Sequence, residues 1–560
     1  MSEPEVDSRA GGRAALLVAA GIFLSRIAGL AREIAIAALL PVNSVGAEAF
    51  RFAVRIPNTL QNLLGEGALS ASLIPVYSRM LDEDREEAAA KVAGVIATLL
   101  ALLTGALVFF GVVAARPITA VLVPGRRGPA FELTVDLVRI MFPGTGFLVL
   151  SAWCLGVLNS HRRFFLSYVA PVIWNLAQIA LLAFAGLRGF TDRSTAMALA
   201  WGLVIGSLAQ LLVQLPTVRA VAPAISLGIR SRFAETGEVL RRFVPATLGR
   251  GIVQLSALVD QMLATYLAFG VATILGFTQV LYLLPISLFG MSVAAAELPE
   301  LTRTAGDRDA TDDRLRIAMR RVVFFVAFTT IAYMLAGRQI VSLLFEQLAG
   351  VVGGDSFDAD ASIAVWLTLA AYSLGLVPAA TSRVVQNALY AHGDVRGPAI
   401  IALGRLIVST VVGLMLMFQF DLLLIVDAAV QGLGDLSPGL VGPLPEEIRD
   451  TDGLPLRLGA VGLGLASAVA SWAQLGLLER RLRRRVEVRS WIGTSLRWLG
   501  PAVAGSAVAM TLGVVTLGSI TPVVSVPLVV GGGGAIYVVI AHLRGVPEAT
   551  RLLHRFGLRF

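Results

Sequence analysis

The sequence is a succession of apolar runs, each about 20 residues long, separated by short charged connections. A helix of that length covers the hydrocarbon core of a bilayer, where backbone groups must be paired within the spanning structure. Of the 560 residues, 56% are hydrophobic and only 15% are charged. The runs are too long and too continuously apolar for the alternating strands of an outer-membrane barrel. The chain is therefore predicted to be an all-α polytopic membrane protein, and a soluble enzyme or a disordered chain is excluded.

The runs predict about fourteen transmembrane helices, and arginines are concentrated in alternate connections between them. Since basic residues mark cytoplasmic connections, both termini are predicted to be cytoplasmic. The polar segment 1–12 lacks the features of a cleaved signal peptide. The predicted helices are 14–40, 47–77, 92–115, 133–158, 166–187, 195–216, 239–269, 271–301, 318–337, 360–390, 397–420, 457–477, 492–518 and 521–543, with the region 338–360 ambiguous.

An internal repeat predicts two related lobes. The pattern Ala-x3-Pro-x2-Ser/Thr-Arg occurs at 71–79 and again at 295–303, each time where an apolar run enters a charged connection predicted to be cytoplasmic. Because both copies enter the same side, the repeat is parallel, as in carriers built from two halves around a cavity. The expected division is a cytoplasmic tail at 1–12, an N-lobe at 13–220, a C-lobe at 221–480, and two additional helices with a basic tail at 481–560. The acidic segment 421–456 is interpreted as an outer-side solvated loop or short amphipathic insert.

Ionisable residues lie inside several predicted membrane helices, where each costs roughly 2.5–3.5 kcal/mol at the bilayer centre. In the second helix, polar residues recur at helical spacing over about 27 Å, which nearly matches the bilayer. The ionisable and other polar residues of these helices are Arg26, Arg32 and Glu33 in the first helix; Glu48, Arg51, Arg55, Asn58, Asn62 and Glu66 in the second; Arg250, Gln254, Asp260 and Gln261 in the seventh; and Arg383, Gln386, Asn387 and Tyr390 in the tenth.

Three interpretations of these charges stay open. They form structural ion pairs between helices, or 47–66 is an interfacial amphipathic helix, or they line a cationic, water-filled cavity. A cavity rich in arginine suits a diphosphate, because guanidinium groups donate paired hydrogen bonds to phosphate oxygens. No metal site or cofactor is expected, since Cys154 is the only cysteine and the four histidines are scattered. The net charge of +8 is attributed to cytoplasmic loops and anionic lipid, and no nucleic-acid partner is expected.

Several motifs of the sequence are specific. The most specific block is Ser-Arg-Ile-Ala-Gly-Leu-Ala-Arg-Glu at 25–33, followed by Phe52-x-x-Arg55-Ile-Pro57-Asn58 and Gly-Glu-Gly-Ala-Leu-Ser at 65–70. A further motif is the segment 388–398, Ala-Leu-Tyr-Ala-His-Gly-Asp-x-Arg-x-Pro. With these motifs the sequence resembles the lipid II flippase family, MurJ/MviN, over about residues 25–410. The resemblance implies two six-helix lobes plus two C-terminal helices that shelter a lipid tail. It also implies membership of the multidrug/oligosaccharidyl-lipid/polysaccharide exporter superfamily.

The resemblance also implies roles for individual residues. Arg26 and Arg32 would bind a diphosphate, Glu33 and Glu48 would be partnering acids, Glu66 would be a cavity or gate residue, and Arg383 occupies a usually basic position. The chain departs from the family at Gln61, where a basic residue is usual, and at Gln279-Val280, where an Asp-Arg pair is usual. Arg250, Arg51 or Arg55 could supply the charge that is missing at Gln279-Val280. The candidate substrate-binding residues are Arg26, Arg32, Glu33, Glu48, Arg55, Asn58, Glu66, Arg250, Asp260 and Arg383.

The expected function is transport rather than catalysis. The chain would move lipid II, the undecaprenyl-diphosphate-linked peptidoglycan precursor, from the inner to the outer leaflet of the bacterial cytoplasmic membrane. It is expected to work as a monomer by alternating access. Because the sequence has no Gly-x4-Gly-Lys-Ser/Thr loop, a membrane potential or ion gradient is the expected driving force. The alternatives are transport of another polyprenyl-linked glycan or a solute, and a transport-inactive membrane scaffold.

Overall fold

The computed structural model describes residues 6–229, 233–303, 308–354, 356–394, 396–432, 442–484, 491–518 and 520–555. Within these ranges the protein is helical apart from one two-stranded sheet, which confirms the all-α class. The helices are α1 (Val6–Leu39), α2 (Val45–Leu64), α3 (Glu66–Asp82), α4 (Glu86–Val113), α5 (Ala115–Leu122), α6 (Gly128–Ser160), α7 (Phe164–Leu187), α8 (Asp192–Val221), α9 (Ala234–Ala264), α10 (Val271–Pro285), α11 (Ser292–Arg303), α12 (Arg308–Leu335), α13 (Gly337–Val341), α14 (Leu348–Val351), α15 (Ala359–Ser373), α16 (Leu376–Ala391), α17 (Arg396–Phe420), α18 (Glu446–Arg449), α19 (Gly459–Arg483), α20 (Trp491–Leu517), α21 (Pro522–Leu543) and α22 (Pro547–Arg555). The strands are β1 (Leu423–Val426) and β2 (Ala429–Gly432), and π-helical segments lie at Ile286–Met291 and Ser342–Gln347.

Ten helices in the described ranges are long and apolar enough to cross a membrane. The count becomes eleven when α15 and α16, which meet at 43°, are taken as one bent span. The other long helical segments are α1, α2 with α3, and α9, and these contain most of the polar residues singled out above. The structure is thus consistent with fourteen spans.

The structure divides three of the predicted long helices, one of which is 360–390, the bent pair α15 and α16. The predicted helix 47–77 is interrupted at Gly65, which separates α2 from α3. A Cβ atom there would lie 2.4 Å from the Gln61 carbonyl oxygen and 3.2 Å from the Ala152 side chain, so the backbone turns where only glycine fits. The predicted helix 271–301 is α10 and α11 joined through the π-helical segment Ile286–Met291. The two copies of the sequence repeat therefore lie on α3 and α11, the second parts of these interrupted helices.

The first compact unit comprises Met1–Thr265 and is organised around α6. This helix is the most buried of the ten apolar helices and packs against α2, α3, α4 and α8. Trp153 joins α6 to α4 by donating its indole N–H to the Ala93 carbonyl oxygen at 3.1 Å. Along the side of this unit α1 packs against α7, and α9 packs against α2 and α3. Helix α9 therefore packs with helices that precede it in the chain. The lobe boundary near residue 220 was inferred from the sequence repeat, and it stays a prediction.

The second compact unit comprises Tyr266–Phe560, with α19 packed against α15, α16 and α17. The last two long helices, α20 and α21, pack against each other and against α12. Tyr537 of α21 donates its hydroxyl to the Phe324 carbonyl oxygen at 2.7 Å, and Ser506 of α20 donates to the Gly533 carbonyl oxygen at 2.9 Å. The first of these buried hydrogen bonds joins α21 to α12, and the second joins α20 to α21.

The segment predicted as a solvated insert, 421–456, has regular structure in its described part. Strands β1 and β2 form an antiparallel hairpin whose turn residues, Asp427 and Ala428, have φ of 51° and 59°. The Ala428 N–H donates to the Asp360 carboxylate on α15 at 2.7 Å, and the Ile425 N–H donates to the Leu456 carbonyl oxygen at 2.8 Å. The described part of the segment thus contains a hairpin, fixed to the helical unit by these bonds, and the short helix α18. A solvated loop or short amphipathic insert was expected there.

Candidate functional site

Two arginines flank one buried carboxylate between α1 and α2. Glu33 accepts a hydrogen bond from Arg32 Nη2 at 2.6 Å, and Arg51 Nη2 lies 2.7 Å from its other oxygen. The Glu33 side chain is 3% exposed, while Arg32 and Arg51 are 17% and 10% exposed. We call Arg32, Glu33 and Arg51 the Glu33 cluster. It carries a formal net charge of +1 inside a bundle of apolar helices.

This arrangement has a clear electrostatic cause. A buried carboxylate without a partner costs several kcal/mol, and two guanidinium groups within hydrogen-bond distance offset that cost. Since Arg32 and Glu33 lie on α1 and Arg51 lies on α2, the cluster also joins the two helices. The resemblance implies that Glu33 is a partnering acid, and in this structure its carboxylate lies between Arg32 and Arg51.

The aromatic ring of Trp174, on α7, supports one side of this cluster. The guanidinium carbon of Arg32 lies 5.2 Å from the centroid of the Trp174 ring, within the usual range for a cation–π contact. Nothing in the periodicity of the fifth apolar run, 166–187, distinguishes this tryptophan from core residues. Its position next to Arg32 is a feature that sequence reasoning missed.

A second buried ion pair lies at the start of α2. Ser44 caps this helix by accepting the Ala47 N–H at 3.2 Å, and Glu48 follows in the first turn. The Glu48 carboxylate accepts from Arg126 Nε at 2.7 Å, and both side chains are fully buried. Arg126 lies in the connection between α5 and α6, so the ion pair joins this connection to the first turn of α2. The Glu48 carboxylate thus pairs with Arg126, and in this conformation it has no surface to offer a ligand.

The remaining predicted residues of α1 and α2 differ in accessibility. Arg26 is exposed on α1, beside the exposed side chains of Phe23 and Ile27. Arg55 and Asn58 are half-buried on α2. Arg26 precedes Arg32 by six residues, which is about 9 Å along a helix axis. The structure thus brings Arg32 and Glu33 into direct contact and places Arg26 further along the same helix.

Helix α9 approaches α2 through a backbone contact. Gln261 donates its amide to the Phe52 carbonyl oxygen at 3.1 Å, and Thr265 Oγ1 accepts the Gly125 N–H at 3.0 Å. Asp260 is half-buried on the same helix and has polar partners of its own. The side chains of Arg250 and Glu66 lie outside the described residues, so their predicted roles stay predictions.

In the second unit, Arg383 is exposed on α16. Asn387, one turn further along, donates its amide to the Ala294 carbonyl oxygen of α11 at 2.7 Å. Asn387 thus joins two helices, whereas Arg383 has an exposed side chain. Gln61 and Val280, the positions where the sequence lacks expected basic residues, are both half-buried, on α2 and α10 respectively.

An exposed network of ion pairs joins the connection between α3 and α4 to the start of α9. Arg79 donates to both oxygens of Glu238, at 2.6 and 3.3 Å, and Arg85 lies 2.7 Å from Glu235. Pairs at such exposed positions contribute little individually and are screened by salt. Sequence reasoning assigned these residues only to solvated connections.

No group of three or more His, Cys, Asp or Glu residues in the described ranges could hold a metal ion. The one cysteine, Cys154, is buried on α6. The polar chemistry of this part of the chain is therefore that of arginine, carboxylate and amide groups.

A membrane chain of two compact helical units with a cationic cluster among its spanning helices has the features of a membrane transporter. Two solved structures have a similar fold. One is an inward-facing multidrug resistance MATE family transporter of the MOP superfamily, with a TM-score of 0.56 and 18% identity over 81% of this chain and 96% of that one. Another is "Lipid II flippase MurJ, inward closed conformation", with a TM-score of 0.71 and 19% identity over 94% of this chain and 98% of that one. At these identities the likeness concerns the fold.

Sequence comparison identifies the family. The family model "Lipid II flippase MurJ" matches residues 36–433. The lipid II flippase MurJ of Burkholderia cenocepacia is 31% identical over 405 residues, which are 71% of this chain and 76% of that protein. A probable lipid II flippase MurJ of Rhizobium meliloti is 32% identical over 393 residues, 68% of this chain and 70% of that protein. The chain belongs to the lipid II flippase MurJ family.

Proposed function

We propose that the protein is a flippase that moves lipid II from the inner to the outer leaflet of the cytoplasmic membrane by alternating access. The observation that carries this proposal is the Glu33 cluster, in which two guanidinium groups among membrane-spanning helices are balanced by one carboxylate. A diphosphate is the part of lipid II that such a cluster recognises, since its oxygens accept paired hydrogen bonds from guanidinium. The names of the relatives agree with this substrate.

The cluster offers the diphosphate two guanidinium groups, those of Arg32 and Arg51. Arg32 and Arg51 already share Glu33, so a phosphate oxygen would compete with that carboxylate for their N–H groups. The bound state therefore gains a charge-assisted hydrogen bond without leaving an arginine buried and unpaired after release. Glu33 in this scheme holds the empty site in its cationic geometry. Arg26, exposed on α1, is available for the first contact with the headgroup.

An arginine-rich pathway for the headgroup would be lined by the remaining predicted residues, which are Arg55, Asn58, Glu66, Arg250, Asp260 and Arg383. The prenyl chain would stay in lipid, because transferring its many methylenes to water is unfavourable by about 0.8 kcal/mol each. A membrane potential or an ion gradient would drive the cycle. The protein would lie in the bacterial cytoplasmic membrane as a monomer with both termini in the cytoplasm.

The test is a flipping assay on purified protein in vesicles loaded with lipid II. Arg32→Ala removes one donor of the cluster and should lower the apparent affinity for lipid II by about 10- to 100-fold, the effect of one hydrogen bond to a charged group. Arg26→Ala should lower it as well. The matched control is Arg116→Ala, which removes an exposed arginine that pairs with Glu132 on the protein surface. Wild-type rates in both the Arg26 and the Arg32 variants would contradict the diphosphate site.

Two other outcomes have their own signatures. If native mass spectrometry finds a different polyprenyl-linked glycan bound to the purified protein and lipid II is not flipped, the substrate assignment fails while transport stands. If the protein inserts correctly but neither flips lipid-linked substrates nor rescues a strain depleted of its flippase, a scaffold function replaces transport.

A further inference from the structure

Trp174 combines two features that a packing residue of a membrane helix does not need. Its ring face lies against the Arg32 guanidinium, at 5.2 Å from the ring centroid to the guanidinium carbon. Its indole N–H is buried and meets no acceptor among the described residues. Trp153, by contrast, donates its indole N–H to the Ala93 carbonyl oxygen and is satisfied within the bundle. Trp174 is therefore the unusual one of these two tryptophans.

The close approach of α1 to α7 produces the contact. At Gly21, a Cβ atom would lie 2.6 Å from the Tyr168 Cβ atom, so glycine allows the two helices to pack closely. Tyr168 and Trp174 both lie on α7, and Arg32 lies on α1 beyond Gly21. The helix pair thus holds the ring next to the guanidinium.

The geometry of a guanidinium explains what this contact does. The cation–π interaction uses the flat face of the group, whereas its hydrogen bonds lie in its plane. Arg32 uses one in-plane donor, Nη2, for Glu33, and its Nε–H is buried with no acceptor among the described residues. A buried donor without an acceptor is costly, and native structures contain few of them.

We propose that Trp174 is a positioning residue for Arg32, which it holds by its ring face so that the guanidinium edge is oriented for a phosphate oxygen of the transported lipid. This inference rests on the proposed function and deepens it, because it assigns the orientation of the diphosphate-binding arginine to a residue of α7. Trp174 acts through Arg32, and its own contribution disappears when Arg32 is absent.

The experiment measures binding of inorganic diphosphate to purified protein in nanodiscs by calorimetry, together with KM and kcat for lipid II flipping. Trp174→Leu should weaken diphosphate binding and raise KM by about 2- to 30-fold, the range of a cation–π contact between exposed and desolvated settings. The kcat should change less than KM. Trp174→Phe keeps an aromatic face and should recover part of the loss, and it keeps the test possible if the Leu variant does not fold.

The matched control is Trp201→Leu, the same change at an exposed position of α8 in the same unit. It should leave diphosphate binding unchanged. In an Arg32→Ala background, Trp174→Leu should have no further effect, because the ring acts through the arginine. The inference would be overturned by any of three results: losses of binding from Arg32→Ala and Trp174→Leu that add in the double variant, equal losses for the Phe and Leu variants, or wild-type binding by Trp174→Leu.

Failure of the inference is distinguishable from failure of the proposed function. If the wild-type protein binds diphosphate with the coupling described but does not flip lipid II, the role of Trp174 stands and the substrate is wrong. If the wild-type protein flips lipid II and Trp174→Leu does so with unchanged KM, the flippase stands and the inference is wrong. Absence of diphosphate binding by wild-type protein would overturn the anion role of Arg32 and the inference with it.

Discussion

The buried pair of Glu48 and Arg126 permits a quantitative test of how the first unit is held together. Both side chains are 0% exposed, so Arg126→Met leaves the Glu48 carboxylate buried without its guanidinium partner. Removing one member of a buried pair typically costs about 3–5 kcal/mol. For a unit of this size, where 1 kcal/mol corresponds to about 2–4 °C, the midpoint of thermal unfolding should fall by about 6–20 °C. The dipole at the start of α2 offsets only a small part of this loss, about 0.3–1 kcal/mol.

Glu48→Leu combined with Arg126→Met should recover most of the loss. With both charges removed, neither ion of this pair has to be desolvated, and apolar replacements of buried ion pairs are often neutral or stabilising by about 1–4 kcal/mol. The double variant should therefore unfold close to the temperature of the parent. It should also still bind diphosphate, since the fully buried Glu48 offers no surface to a ligand.

The chain contains a native reporter for this assay. Cys154 is the only cysteine, it is buried on α6, and it lies in the same unit as the pair. A maleimide dye that fluoresces on reaction with a thiol will report unfolding of purified protein in detergent as Cys154 becomes accessible. The control is Arg116→Met, which breaks an exposed pair and should cost less than about 1 kcal/mol. A shift for Arg126→Met no larger than that of the control, or a double variant as unstable as the single one, would refute the reasoning.

Three further predictions concern other parts of the chain. Arg79→Glu should lower the unfolding temperature slightly by opposing Glu238, and the difference should vanish in 1 M salt; persistence of the difference in high salt would contradict an exposed ion pair. Ala428→Gly should stabilise the hairpin by about 1 kcal/mol, because its φ of 59° strains a residue with a Cβ atom, and hydrogen exchange at β1 amides should slow rather than quicken. Lys91, the only lysine and partly exposed, should react with a membrane-impermeant amine reagent in inverted vesicles and not in spheroplasts if the α3–α4 connection is cytoplasmic; the opposite pattern would reverse the topology.

The sequence predicted the helices well because hydropathy in a membrane chain is dictated by lipid. Each apolar run must pair its backbone internally, so run length alone specifies a helix. Interruptions inside those helices were not predicted, because they depend on neighbours. Gly65 ends α2 where the Gln61 carbonyl oxygen and Ala152 leave no room for a side chain, and Ala152 is distant in sequence. The strands β1 and β2 are only four residues long, and their signal is weak beside the Pro, Gly and acidic residues of the same segment.

For the site, the sequence indicated which residues are polar and which face they share, but not which atoms meet. The Arg32–Glu33 pair was visible because the residues are adjacent. The partner of Glu48 was not, since Arg126 lies 78 residues away in a connection that the charge pattern assigned to the outer side. One signal could have drawn attention to it: the outer connections contain few arginines, so each one there needs a reason. Trp174 carries no such signal, because an aromatic residue in an apolar run is ordinary.

The cluster also bears on the basic residue that the chain lacks at Gln61. Arg51 precedes Gln61 by ten residues on α2, which corresponds to about 15 Å along the helix axis, half the hydrocarbon thickness. A charge at Arg51 therefore cannot replace one at Gln61 in place. What Arg51 does is concentrate positive charge at the level of Glu33, where its guanidinium lies 2.7 Å from that carboxylate. If Arg51 compensates for the departure at Gln61, the diphosphate must be held nearer to the start of α2 than a base at Gln61 would hold it. Arg51→Ala should then impair flipping more than Gln61→Arg improves it.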